Sequence, residues 1–233
     1  MAHLHSIPIW FLGFNIAFET IFMLAAALVA LYSYKIYKLS LQRETKLFAI
    51  SFAFLSASYF ISSIISLFFV SIFEGNTFAI TLNRIYDLRN FSVALYISFF
   101  ILGYVTLLYT TLKIKRLRIY AILIILTFAA INFSFNKSFM IFFISSLFLL
   151  FINYHYYMEF MKRRNTNVLL VFWGMFFLLL SNLLFLLKTT IISTYVFSHI
   201  SNLLGYVFIM SSLVRVMQNG KKKKQIGDNK GHT

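Results

Sequence analysis

Long apolar runs separated by short polar segments make up most of this chain. A helix that crosses the hydrocarbon core of a bilayer, about 30 Å thick, needs about 20 mostly apolar residues. Seven runs meet this requirement, and Glu19 in the first is the only Asp, Glu, Lys or Arg within them. The pattern predicts an all-α, polytopic membrane protein, a bundle of seven transmembrane helices. The predicted spans are residues 9–34, 47–73, 90–112, 119–136, 138–158, 165–187 and 189–214.

The boundary between the fourth and fifth runs is the least well defined. The fourth run is the shortest, and a brief polar segment around 132–138 separates it from the fifth. A six-helix alternative, in which the two runs merge, therefore remains open at this point.

Composition excludes a water-soluble globular enzyme. The chain is 61% hydrophobic and 12% charged, whereas soluble domains are roughly 45–50% apolar and about 25% charged. It has no cysteine, which excludes disulfides, thiolate metal sites and thiol catalysis. Phosphate-binding loops, nucleophile elbows and His-rich metal motifs are also missing from the sequence. We expect no enzymatic activity, no cofactor and no metal site.

Basic residues gather at alternate connections between the runs. The chain has 21 Lys and Arg against six Asp and Glu, a formal net charge of +15. All but four basic residues follow the first, third, fifth or seventh run, the exceptions being Arg84, Arg89, Lys137 and Lys188. Because positively charged connections stay in the cytoplasm, we expect an outside N-terminus and a cytoplasmic C-terminus in the cell membrane. Topology thus explains the basic charge, and nucleic acid is not an expected partner.

The segment after the last run is predicted to be a basic, disordered cytoplasmic tail. Residues 215–233 are rich in Gly, Lys and Asn. Within this tail Lys221, Lys222, Lys223 and Lys224 lie close to the membrane exit, where basic residues are attracted to anionic lipid head groups. The lipid bilayer and its anionic head groups are therefore predicted contacts of the tail.

Two ionisable side chains in the outer half of the predicted bundle form the candidate ligand site. Glu19 and His199 have an estimated offset of about 4 Å along the membrane normal, and ionisable groups inside spans are functional candidates. We expect the first and seventh helices to be neighbours, so that the two side chains meet. An outward-facing pocket between helices one, two, three, six and seven would also contain polar side chains at Asn15, Asn182, Asn202 and Tyr59.

Other polar residues in the runs are interpreted as structural. Ser56, Tyr59, Ser63 and Ser66 form one stripe of the second helix, bordered by Ser62. We interpret the serines as hydrogen-bonding contacts between helices. His155 lies among tyrosines near the inner interface, far in depth from His199. It is interpreted as an interfacial residue, so the two histidines are not expected to share a haem.

A pocket of this kind favours a receptor-like protein. It would bind a ligand or ion from outside and signal to a separate membrane or cytoplasmic protein. Two alternatives remain open from the sequence. One is a small carrier or channel-like transporter that uses the same pocket, and the other is a non-catalytic accessory or assembly subunit of a membrane complex.

Overall fold

The computed structural model consists of seven α-helices, with no strand in the part of the chain that it describes. The backbone is described for residues 9–74, 82–114, 116–187 and 192–230, and side chains for 14–67, 90–114, 116–187 and 194–219. The helices are α1 (Ile9–Ser40), α2 (Arg43–Glu74), α3 (Leu82–Thr111), α4 (Leu117–Asn132), α5 (Lys137–Arg163), α6 (Thr166–Leu186) and α7 (Ile192–Lys230). This confirms the predicted all-α bundle of a multi-pass membrane protein.

Six of the helices are long and apolar enough to cross a membrane, and α4 is the exception. It has 16 residues, which rise about 24 Å, so it is short for the hydrocarbon core. A turn at Phe133–Asn136 separates α4 from α5, and the Asn136 side chain caps α5 by accepting a hydrogen bond from the Phe139 N–H at 3.1 Å. The six-helix alternative with a merged pair is therefore wrong.

The last helix continues well past the predicted span. α7 runs to Lys230, so the segment predicted as a disordered tail is helical as far as that residue. The physical reason is that extending an existing helix avoids the cost of starting a new one, and the membrane span provides that existing helix. Lysine and glutamine also favour the helical conformation. The side chains of the four tail lysines lie outside the described residues.

Six helices close into a ring, in the order α1, α2, α3, α5, α6, α7 and back to α1. The contact between α1 and α7 confirms that the first and seventh helices are neighbours. α4 packs outside the ring against α3 and α5. Close approach of α6 and α7 depends on glycine, since a Cβ added at Gly174 would lie 2.9 Å from the carbonyl oxygen of Gly205.

A layer of large, buried side chains fills the middle of the ring. It includes Phe52 and Leu55 from α2, Met175 and Leu178 from α6, and Tyr206 and Ile209 from α7. Leucine and isoleucine side chains on the outer faces are exposed, among them Leu24 and Ile125, as expected for surfaces that contact lipid. One cavity lies on each side of the filled layer.

Candidate functional site

A cavity of about 220 Å³ lies inside the ring, towards the end where α1 begins and α2 ends. We call it the Glu19 cavity. Each of the six ring helices contributes to its wall, so α5 joins the five helices predicted from the sequence. All six candidate residues line it: Asn15, Glu19, Tyr59, Asn182, His199 and Asn202.

The Glu19 carboxyl group joins α1 to α2. Its Oε1 accepts hydrogen bonds from Asn15 Nδ2 at 3.0 Å and from Ser62 Oγ at 2.7 Å. Its Oε2 accepts one from Ser66 Oγ at 3.1 Å. Asn15 lies one turn before Glu19 on the same helix face. The carboxyl group is thus held by hydroxyl and amide donors on two helices.

Glu19 and His199 are connected through Asn15 and Tyr195. The Tyr195 hydroxyl donates a hydrogen bond to Asn15 Oδ1, and Asn15 donates to Glu19. The Tyr195 ring packs edge-on against the His199 ring with 4.3 Å between centroids. Each step joins α1 to α7 or stays within one of them, so the predicted pairing of these helices brings the two ionisable residues to one wall.

Aromatic rings surround His199, which is 4% exposed. Phe18 stacks on the imidazole at 4.9 Å between centroids, and Phe22 stacks at 5.5 Å. Phe185 meets it edge-on at 5.3 Å. The histidine side of the cavity is therefore a tightly packed aromatic cluster from α1, α6 and α7.

Asn182, which lines the cavity, carries a buried acceptor that is unsatisfied among the described residues. Its Nδ2 donates to the Leu178 carbonyl oxygen at 2.9 Å and lies 3.3 Å from the Tyr104 hydroxyl. A carbonyl oxygen can only accept, so this contact fixes which end of the amide carries the N–H groups. The opposite atom, Oδ1, is buried and has no hydrogen-bond partner among the described residues.

Three further polar contacts join α2 to its neighbours. Ser63 Oγ lies 3.2 Å from Thr20 Oγ1, and Ser56 Oγ donates to the Met23 carbonyl oxygen at 3.0 Å. Asn202 Nδ2 donates to the Tyr59 hydroxyl at 3.2 Å. The stripe thus makes the inter-helix hydrogen bonds predicted for it, while Ser62 and Ser66 also reach the cavity carboxyl.

Sequence reasoning missed several residues of the cavity wall. Tyr195 precedes His199 by four residues, a spacing that places both on one helix face and could have revealed it. Phe142 and Tyr96 also line the cavity. The residues before and after them along the chain are mostly apolar, so no arrangement of polar and apolar positions indicated which face of the helix points inward.

A second cavity, of about 340 Å³, opens at the opposite end of the ring. We call it the Glu159 cavity. His155 and Glu159 line it, with 3.9 Å between His155 Nε2 and a Glu159 carboxyl oxygen. Arg163 also pairs with Glu159 at 3.5 Å. His155 therefore lies at the end of the ring far from His199, where the sequence predicted it.

No group of three or more His, Cys, Asp or Glu among the described residues could hold a metal ion. No protein family, curated protein or solved structure matches the chain. Its function is therefore inferred from the ring, the Glu19 cavity and the distribution of charge.

Proposed function

We propose that this protein is a receptor-like protein of the cell membrane that binds a small ligand from outside in the Glu19 cavity and signals to a separate protein partner. The observation that carries this proposal is the Glu19 cavity itself, which all six ring helices line. Its wall combines the Glu19 carboxyl group with the Asn182 side chain, whose Oδ1 is buried and has no hydrogen-bond partner among the described residues. Small-molecule sites typically combine aromatic side chains with convergent polar groups, and the lining residues of this cavity are divided equally between the two kinds.

Hydrogen bonds at the cavity would allow a bound ligand to change how the helices pack. Glu19 bonds α2 through Ser62, and Asn15 bonds α7 through Tyr195. A ligand that competes for either contact would favour a different arrangement of these helices, provided that it binds the two arrangements unequally. The partner would respond to that change at the opposite end of the ring.

The filled middle layer favours a receptor over an open channel. Phe52, Met175 and Tyr206 separate the Glu19 cavity from the Glu159 cavity and are each at most 1% exposed. The ring helices also run without a break, whereas carriers commonly bind substrate at interrupted helices.

Cysteine labelling tests access to the cavity, because the natural chain has no cysteine. Three positions on α5 form a matched set: Phe142 lines the cavity, the neighbouring Phe143 is 41% exposed on the outer face, and Ser138 is exposed near the start of the helix. The probes are membrane-impermeant methanethiosulfonates added to right-side-out vesicles. We expect rapid modification of Ser138→Cys, slower modification of Phe142→Cys and none of Phe143→Cys. Failure to modify Phe142→Cys while Ser138→Cys reacts would refute an outward-accessible cavity.

A carrier is the second candidate, favoured by the Glu159 cavity at the other end of the same ring. Alternating access requires one site that opens to each side of the membrane in turn, and a cavity on each side of a closed layer is compatible with such a mechanism. A carrier would expose the Phe142→Cys thiol to reagent from the cytoplasmic side as well, in inside-out vesicles. A receptor would leave it unmodified from that side.

A further inference from the structure

Aromatic side chains dominate the wall of the Glu19 cavity. Four phenylalanines and three tyrosines make up half of the fourteen lining residues. They come from all six ring helices, and Phe100, Phe142 and Phe185 form a continuous series with centroid separations of 6.2 Å and 5.0 Å. Aromatic faces are negative and attract cations, including quaternary ammonium groups.

Charge among the described residues of the wall is of one sign. Glu19 is the only Asp or Glu among them and none is a Lys or Arg, although the chain carries 21 basic residues. An anionic ligand would find no cationic partner there other than the packed His199 ring. A metal cation would find one carboxyl group and no second acidic ligand.

The unsatisfied Asn182 Oδ1 adds a requirement for a donor. This atom is an acceptor in a side chain that is 4% exposed, and leaving it without a donor is unfavourable. A ligand that carries an O–H or N–H could satisfy it. The cavity volume of about 220 Å³ is smaller than the roughly 300–1,000 Å³ typical of sites for drug-sized molecules, so the ligand has few heavy atoms.

We infer that the Glu19 cavity binds a small organic ammonium ion that also carries a hydrogen-bond donor. The aromatic rings contact the ammonium group, the Glu19 carboxylate supplies the opposite charge, and Asn182 Oδ1 accepts the donor. A fully alkylated ammonium has no N–H, so its attraction to Glu19 is compatible with the hydrogen bonds that Ser62 and Ser66 already make. The inference rests on the proposed ligand-binding function and specifies its ligand class.

Choline and its neutral isostere, 3,3-dimethylbutan-1-ol, test the inference on the unmodified protein. The two molecules share shape and hydroxyl group and differ in the charge of the central atom. Binding to purified protein in nanodiscs is measured by calorimetry. We expect choline to bind at least about tenfold more tightly than the isostere, the ratio that a desolvated cation–π contact alone provides. Equal binding of the two, or binding of neither, would overturn the inference.

Substitutions in and beside the cavity test whether choline binds there. Glu19→Gln and Phe142→Leu should each weaken choline binding about tenfold. Phe143→Leu makes the same change one residue away, on the exposed face of α5, and should leave the affinity unchanged. Choline affinity that is the same in Glu19→Gln and wild-type protein would place the binding site elsewhere and contradict the inference.

Labelling of Phe142→Cys separates this inference from the proposed function. Two methanethiosulfonates are compared, a cationic one with a trimethylammonium group and an anionic one with a sulfonate group. When each rate is divided by the rate of the same reagent at Ser138→Cys, the cationic reagent should react faster at Phe142→Cys. Glu19→Gln should reduce that preference. Equal relative rates would reject the cation but keep an accessible cavity, whereas no reaction with either reagent would reject the proposed function itself.

Discussion

Replacing Glu19 by leucine should destabilise the ring by loosening α1 from α2. Glu19 accepts hydrogen bonds from Ser62 and Ser66 of α2, and leucine can accept neither. Glutamine at the same position keeps an oxygen for Ser62 and places an N–H₂ group where it can donate to the Ser66 hydroxyl. The two variants therefore separate the hydrogen bonds from the negative charge.

The expected loss follows from the two bonds between the helices. Inter-helix hydrogen bonds in membrane proteins contribute about 0.6 kcal/mol on average and at most about 1.7 kcal/mol. Losing both should lower the free energy of unfolding of Glu19→Leu by about 1–3 kcal/mol. Glu19→Gln should lose less than about 1 kcal/mol, because it can retain both contacts.

Titration with SDS in mixed micelles, followed by circular dichroism, measures this free energy. Ser98→Ala is a suitable control, since Ser98 is only partly buried and donates to its own helix, to the Ala94 carbonyl oxygen. Ser62→Ala should cost about 0.6 kcal/mol in the wild-type background. In the Glu19→Leu background it should cost less, because its partner has already been removed.

Two results would refute this reasoning. The first is a Glu19→Leu protein as stable as Glu19→Gln. The second is full additivity of Glu19→Leu and Ser62→Ala, since residues that share a hydrogen bond should be coupled.

Three further predictions concern packing, topology and the tail. Gly174→Ala should lower the free energy of unfolding by about 1–3 kcal/mol, because the added Cβ would lie 2.5 Å from Ile209 Cγ1 and 2.9 Å from the Gly205 carbonyl oxygen; unchanged stability in SDS titration would contradict this packing. A reporter fused after Lys224 should be cytoplasmic and one inserted near Asn76 should be outside, and the reverse would overturn the charge-based orientation. Replacing Lys221–Lys224 by Gln should weaken binding of a tail peptide to anionic vesicles, by about 1 kcal/mol per lysine at low salt; binding that is insensitive to salt would exclude an electrostatic contact.

The sequence by itself determined the helical membrane architecture and the depth of the polar residues. Six of the seven apolar runs form helices long enough to cross a bilayer, α4 being the exception. The bilayer requires internal backbone hydrogen bonding in every span, whatever that span packs against. Depth along a helix is also local, since each residue advances about 1.5 Å. Glu19 and His199 could therefore be assigned to the same half of the bundle before their helices were known to be in contact.

The rotation of each helix and the closure of the ring were decided only by the tertiary structure. Phe142 lines the Glu19 cavity whereas Phe143 is exposed on the outer face of α5, and nothing in the two side chains distinguishes them. α4 is apolar like its neighbours, yet it packs outside the ring. The physical reason is that lipid and protein interior are similarly apolar, so a spanning helix needs no contrast between its faces. Which faces meet depends on packing at close contacts such as Gly174 against Gly205, and those contacts exist only once the helices have assembled.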